Sequence, residues 1–164
     1  MDKEPLLQIK EVTRKFGELC VLNQLTMSVQ RGEIFGLLGL NGAGKTTLFK
    51  CILKLIKTDG GSILYDNQPL EVPVIHEKIG YLPEFYLPPG ELRANEYLRL
   101  LGMAVSGPKP DVNALLKKTD LDPNKFIGDY SRGMIQRLGL AIALLKSPEF
   151  IILDEPTLGL DPMV

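Results

Sequence analysis

Leu6, Ile9 and Val12, followed by Val21, Leu25, Met27 and Val29, form apolar runs broken at Phe16-Gly17. Their alternation is imperfect, but the runs predict a pair of N-terminal strands. Residues 34–38 are a compact apolar run of the kind buried in a parallel sheet, and they lead directly into the glycine-rich segment 39–44. A helix is predicted from Lys45 to about Leu55, with Leu48, Ile52 and Leu55 on one face. Asp59-Gly60-Gly61 then turns the chain into a strand over residues 62–65.

The texture changes after the apolar stretch 79–82, where Pro83, Pro88, Pro89 and Gly90 open a segment with helical spacing. Helices are predicted over residues 95–103 and 111–118, joined through Gly107, Pro108 and Pro110. Ser131 is placed to cap a third helix that runs to about Leu145, buries Leu138, Ile142 and Leu145, and stops before Pro148. Residues 150–153 form the last predicted strand. The chain contains no internal repeat and no low-complexity tract.

The 164 residues match the size of one domain, so a single hydrophobic core is expected. Hydrophobic residues make up 45% and charged residues 24%, which argues against disorder. Nineteen basic and twenty acidic residues give a net charge of -1, so no bulk field draws the chain to nucleic acid or anionic lipid. Asp2, Lys3 and Glu4 stand where an export signal needs a basic start and an apolar run. No apolar stretch approaches the ~20 residues of a membrane-spanning helix, so a membrane role requires a partner subunit. Cys20 and Cys51 have no metal-knuckle or redox spacing and read as reduced thiols, and His76 reads as a surface residue.

Two segments carry chemistry. Gly39, Leu40, Asn41, Gly42, Ala43, Gly44, Lys45 and Thr46 fit the phosphate-loop pattern G-x-x-x-x-G-K-[ST], placed between a predicted strand and a predicted helix. Glycines let the backbone curl so that successive N–H groups converge on phosphates, and the helix start adds about half a positive charge. Lys45 supplies a point charge, the Thr46 hydroxyl is placed to ligate Mg²⁺, and Thr47 completes the candidate ATP-binding set. The second segment is the apolar strand ending in Asp154-Glu155, at the strand end where open α/β sheets place their ligands. Asp154 can hold the Mg²⁺ shell. Glu155, pointing differently by strand alternation, can polarise the water that attacks the γ-phosphate.

Residues 130–136 read Tyr-Ser-Arg-Gly-Met-Ile-Gln. This resembles the Leu-Ser-Gly-Gly-Gln signature of ATP-binding cassette (ABC) ATPases: Ser131 and Gly133 match, while Tyr130, Arg132 and Met134 depart, and the basic Arg132 with Met134 is similar to the variant of the drug-export and polysaccharide-export branches. The resemblance implies that Ser131, Arg132 and Gly133 contact ATP held on a partner subunit, with the start of their helix as an anion site. Other landmarks of the family follow in order. Phe16 sits where an aromatic stacks on adenine. Tyr81-Leu82-Pro83-Glu84 occupies the place of the glutamine loop, with Glu84 in position to reach Mg²⁺ or the attacking water as a charge rather than an amide. Leu158-Gly159-Leu160-Asp161 resembles the loop that crosses the dimer interface.

The resemblance implies an α/β fold of the P-loop NTPase type, with a mostly parallel sheet bearing the phosphate loop, an N-terminal antiparallel β region and a helical subdomain over about 84–130. It further implies a MgATP-hydrolysing subunit in which Glu155, Lys45 and Glu84 are catalytic, and Thr46, Asp154 and Glu84 serve the metal. The subunit would pair head to tail with a second copy or a related chain and drive a transmembrane permease from the cytoplasmic face, with no nucleic acid involved. Two other readings stay open: a soluble ABC ATPase without a membrane partner, and an ATP-binding module that does not turn over. The family places a further strand and a histidine after the dimer-interface loop, whereas the sequence stops at Val164. Residues 1–164 are therefore expected to be one incomplete ATPase domain, poorly stable and nearly inactive alone.

Overall fold

The computed structural model describes residues 5–105 and 109–156. The chain divides into two compact units, one up to Pro73 and the other from Val74.

In the first unit, β1 (Pro5–Phe16) and β2 (Leu19–Gln30) form a long antiparallel hairpin. Gly17, at a positive φ of 59°, begins its tight turn. β3 (Gly60–Tyr65) pairs on the other edge of β1, and the short β4 (Gln68–Pro69) completes a sheet of order β2-β1-β3-β4. Leu6, Ile9 and Val12 are all buried although spaced three apart. Register shifts between Pro5 and Leu7 and between Ile9 and Val12 break the alternation, and Glu11 takes a positive φ within the second. Thr26 Oγ1 accepts the Glu11 N–H and Thr13 Oγ1 accepts the Gln24 N–H, so threonine hydroxyls serve the amides of this irregular stretch. Asp66 and Asn67, with φ of 52° and 61°, make the two-residue turn into β4, a strand the apolar pattern does not foresee.

Two expectations are corrected in this unit. Residues 34–38 are not a strand: they have no regular structure, and Ile34 and Leu38 are fully exposed. A parallel strand exists only through hydrogen bonds to its neighbours, and an apolar run cannot supply those alone. Helix α1 (Lys45–Ile52) stops short of Leu55, which is exposed. Lys54 turns left-handed at φ 53°, its N–H bonds the Cys51 carbonyl, and the Leu55 N–H bonds the Lys50 carbonyl. That pair of bonds is a Schellman ending, with lysine in the place usually taken by glycine.

Helix α2 (Val72–Lys78), also unforeseen, tolerates Pro73 in its first turn, where a missing N–H breaks no helical bond. It leads into β5 (Ile79–Leu82), which pairs in parallel with β6 (Phe150–Leu153). Among the described residues these two strands are the parallel part of the fold. Helices α3 (Ala94–Gly102), α4 (Val112–Lys118) and α5 (Arg132–Leu144) enclose a core that includes Ala94, Leu98, Leu116, Leu138 and Leu145. Ile142 is half-buried at its edge rather than inside. Asp111 caps α4 by accepting the Ala114 N–H at 3.0 Å, and the Glu96 carboxylate accepts the Arg93 N–H at the start of α3.

α5 lies close along β5 because two glycines remove the side chains between them. A Cβ at Gly80 would collide with the Ala143 carbonyl oxygen, and one at Gly139 with the Leu82 side chain. Lys146, whose ammonium burial holds its pKa below the ordinary lysine value, donates to the carbonyls of Ile75 and His76. His76 itself is exposed. Gly80→Ala is expected to destabilise the protein by about 2–3 kcal/mol, because the collision is with backbone that cannot rotate away. A urea midpoint equal to that of the parent protein would show that the seam opens at no cost.

Candidate functional site

The glycine-rich loop of the first unit is set by two left-handed residues, Gly42 at φ 81° and Gly44 at φ 93°. Gly44 has a second reason to be glycine. A Cβ there would lie 3.1 Å from the side chains of Val21 and Leu22 and from the Val21 carbonyl oxygen. The loop thus settles against β2 only without a side chain at this position. Within it the Ala43 N–H bonds the Leu40 carbonyl, and the Lys45 ammonium donates to the Gly39 carbonyl at 2.7 Å and the Leu40 carbonyl at 3.3 Å. Lys45 therefore folds back over its own loop, with its charge on the carbonyls of Gly39 and Leu40. α1 starts at Lys45 with glycine as N-cap and no side-chain cap. A first helical turn carries N–H groups with no partner inside the helix, so this start presents donors and dipole where an anion would sit. Gly39, Leu40, Asn41, Gly42 and Ala43 are exposed, and Thr46 and Thr47 are half-buried in the first turn of the helix.

Phe16 ends β1 beside the hairpin turn and is 47% exposed as a residue. The Arg14 guanidinium lies over that ring, 4.5 Å from its centre, and its Nη1 meets both carboxylate oxygens of Asp59 at 3.3 Å. Sequence reasoning missed this bracket. Arg14 stands two positions from Phe16 on the same strand and was readable as its neighbour, but Asp59 is distant in sequence and gave no signal.

In the second unit the ladder between β5 and β6 continues one residue past the end of β6, with the Asp154 N–H donating to the Leu82 carbonyl at 2.9 Å. This brings Asp154 and Glu84 to the same end of the parallel pair. Both carboxylates are felt by Tyr81, whose hydroxyl pKa is raised first by burial, then by Asp154 and then by Glu84. Asp154 is 1% exposed, while Glu155 is half-buried. The two carboxylates do part company, but strand alternation is not the cause, because β6 ends at Leu153 and the backbone turns left-handed at Glu155, φ 50°. Asn and Asp adopt that conformation more readily than Glu, so a cost in backbone strain is located here.

Tyr86, two residues beyond Glu84, reaches back over Gly139 and hydrogen-bonds the Tyr97 hydroxyl at 2.8 Å. Burial and the Tyr97 hydroxyl raise its pKa far above the ordinary tyrosine value. The loop that carries Glu84 is thereby attached to α3 and α5.

Ser131 is the N-cap of α5, its hydroxyl accepting the Met134 N–H at 3.3 Å. Ser131 and Arg132 are exposed and Gly133 half-buried. The Tyr130 hydroxyl donates to the Asp122 carbonyl at 3.1 Å, and Arg137 pairs with Asp120, so the start of α5 is tied to the loop before it. Asp161 lies outside the described residues.

Among the described residues no three His, Cys, Asp or Glu side chains gather into a metal cage. Asp154 and Glu84 at one end of the parallel pair, and separately Thr46 in the first turn of α1, offer hard oxygens of the kind Mg²⁺ takes, and an ion held mainly by nucleotide phosphates and water needs no all-protein cage.

A glycine loop opening a helix, together with a parallel strand pair ending in Asp-Glu, defines a nucleotide-binding α/β protein of the P-loop NTPase class. The chain belongs to the ABC transporter family, whose model matches residues 22–158. It is 39% identical over 171 residues to the bacitracin transport ATP-binding protein of Enterococcus faecalis, an alignment covering 99% of this chain and 54% of that protein. It is 36% identical to the Nod factor export ATP-binding protein I of Cupriavidus pinatubonensis, covering 96% of this chain and 51% of the relative. The chain thus spans about half the length of these curated relatives. Among solved structures, an ATP-binding subunit of an ABC transporter superposes with a TM-score of 0.82 at 34% identity, over 96% of this chain and 69% of that one. A dimeric ATP-binding cassette in a post-hydrolysis state, bound to ADP and Pi, superposes with a TM-score of 0.82 at 28% identity, over 96% and 77%.

Proposed function

We propose that this chain belongs to a nucleotide-binding domain that binds and hydrolyses MgATP to power an ABC transporter. The observation that carries the reading is the loop of residues 39–44, wrapped by the Lys45 ammonium at the start of α1. Lys45 binds the β- and γ-phosphates, the loop N–H groups orient them, and Phe16 stacks on the adenine. Glu155 takes the proton of the attacking water, and Glu84 orients it from the neighbouring strand end. Thr46 and Asp154, with Glu84, would hold Mg²⁺, which neutralises phosphate charge when bound. Ser131, Arg132 and Gly133 serve ATP held by a partner subunit, and Asp161 serves the contact with that partner. ATP closes the pair and hydrolysis reopens it, and a permease in the membrane follows the movement. The word export in the name of the Nod factor relative favours an exporter working from the cytoplasmic face.

Phosphate release by the intact protein, stimulated when a permease co-purifies, tests the proposal. Turnover with no membrane partner would favour a soluble ABC ATPase, and ATP binding without phosphate release would leave a binding module.

A further inference from the structure

Phe16 is a phenylalanine, with no hydroxyl to fix its orientation, at the end of β1 beside the hairpin turn. Three facts show how it is held. The Arg14 guanidinium covers one face of the ring at 4.5 Å. Arg14 is in turn anchored by Asp59, and its side chain is only 20% exposed. Asp59 is itself fixed to β1 twice, its carboxylate accepting the Lys15 N–H at 2.7 Å and its own N–H donating to the Thr13 carbonyl at 2.8 Å. The Nε of Arg14 is buried without a hydrogen-bond partner. A buried donor left unsatisfied opposes folding, so the placement of this guanidinium is not explained by stability alone.

We propose that Arg14, anchored by Asp59, is a positioning residue for the nucleobase: it fills one face of Phe16 and leaves the other as the platform on which the base stacks. This rests on the reading of Phe16 as the adenine platform. A cation on one face draws π-electron density toward itself and strengthens stacking of an electron-rich purine on the opposite face. It also keeps the ring from rotating into the sheet, so the base meets a preorganised surface. Because this arrangement reads the face of the base and not its hydrogen-bonding edge, ATP and GTP should bind within a few-fold of each other.

The test is calorimetric titration of the intact protein with MgATP and, separately, with inorganic triphosphate and Mg²⁺. Phe16→Ala is expected to weaken ATP, and Arg14→Met to weaken it about 3- to 10-fold. Both should leave triphosphate binding unchanged. The double variant should bind ATP no more weakly than Phe16→Ala, since Arg14 acts only through the ring. Asp59→Asn keeps the arginine but loosens its anchor, and should show the same split between ATP and triphosphate. It serves where Arg14→Met does not fold. Additive losses in the double variant, or equal weakening of triphosphate by Arg14→Met or Asp59→Asn, would overturn the positioning role and leave a general charge effect. Phe16→Ala binding ATP as the parent protein does would instead overturn the platform reading itself.

Discussion

Lys45→Ala is expected to lower MgATP affinity by about two orders of magnitude, the usual cost of removing one partner from an enclosed charge pair. The Lys45 ammonium rests on the carbonyls of Gly39 and Leu40, so it is held in place before any phosphate arrives. Its loss leaves the loop N–H groups and the start of α1, which together still present partial positive charge. Binding should therefore weaken greatly without vanishing. The fold should tolerate the change, because alanine suits a first helical turn and the two released carbonyls belong to exposed residues. Calorimetric titration checks the affinity and a thermal melt checks the fold. Unchanged affinity would remove residues 39–46 as the ATP site.

Glu155→Gln should leave ATP binding intact and slow hydrolysis by about 10²- to 10⁴-fold, the range for loss of a general base. Glutamine has the same shape and the same tolerance for φ 50°, so the left-handed turn after β6 persists and only the proton acceptor is lost. Subunits that bind ATP and cannot split it should remain closed on each other. Size-exclusion runs with ATP would then show dimer, and phosphate release would be nearly silent. Monomer throughout, or turnover equal to the parent protein, would take the base role away from Glu155.

What the sequence disclosed well was local. Ser131 is readable as a cap because a side-chain oxygen before a helix needs only an N–H three residues on. The phosphate loop was readable because its left-handed turns demand glycine wherever they occur. Residues 34–38 failed for the opposite reason, since a parallel strand depends on partners that its own residues do not encode. The end of α1 was misplaced because Lys54, not a glycine, makes the left-handed cap. The hairpin at Asp66-Asn67 is legible in its turn residues but not in apolar alternation, which Gln68 and Pro69 lack. Least legible was the Arg14–Asp59 bracket, a contact between segments far apart along the chain.

The hydrogen bond between Tyr86 and Tyr97 has an optical consequence. The sequence has no tryptophan and five tyrosines, so its near-ultraviolet emission is tyrosine emission, and two of the five emitters share a single bond at the loop of Glu84. A hydroxyl pair of this kind alters the brightness and absorption edge of both rings. Any movement of that loop during a nucleotide cycle would register as a change in the protein's own light, with no label attached.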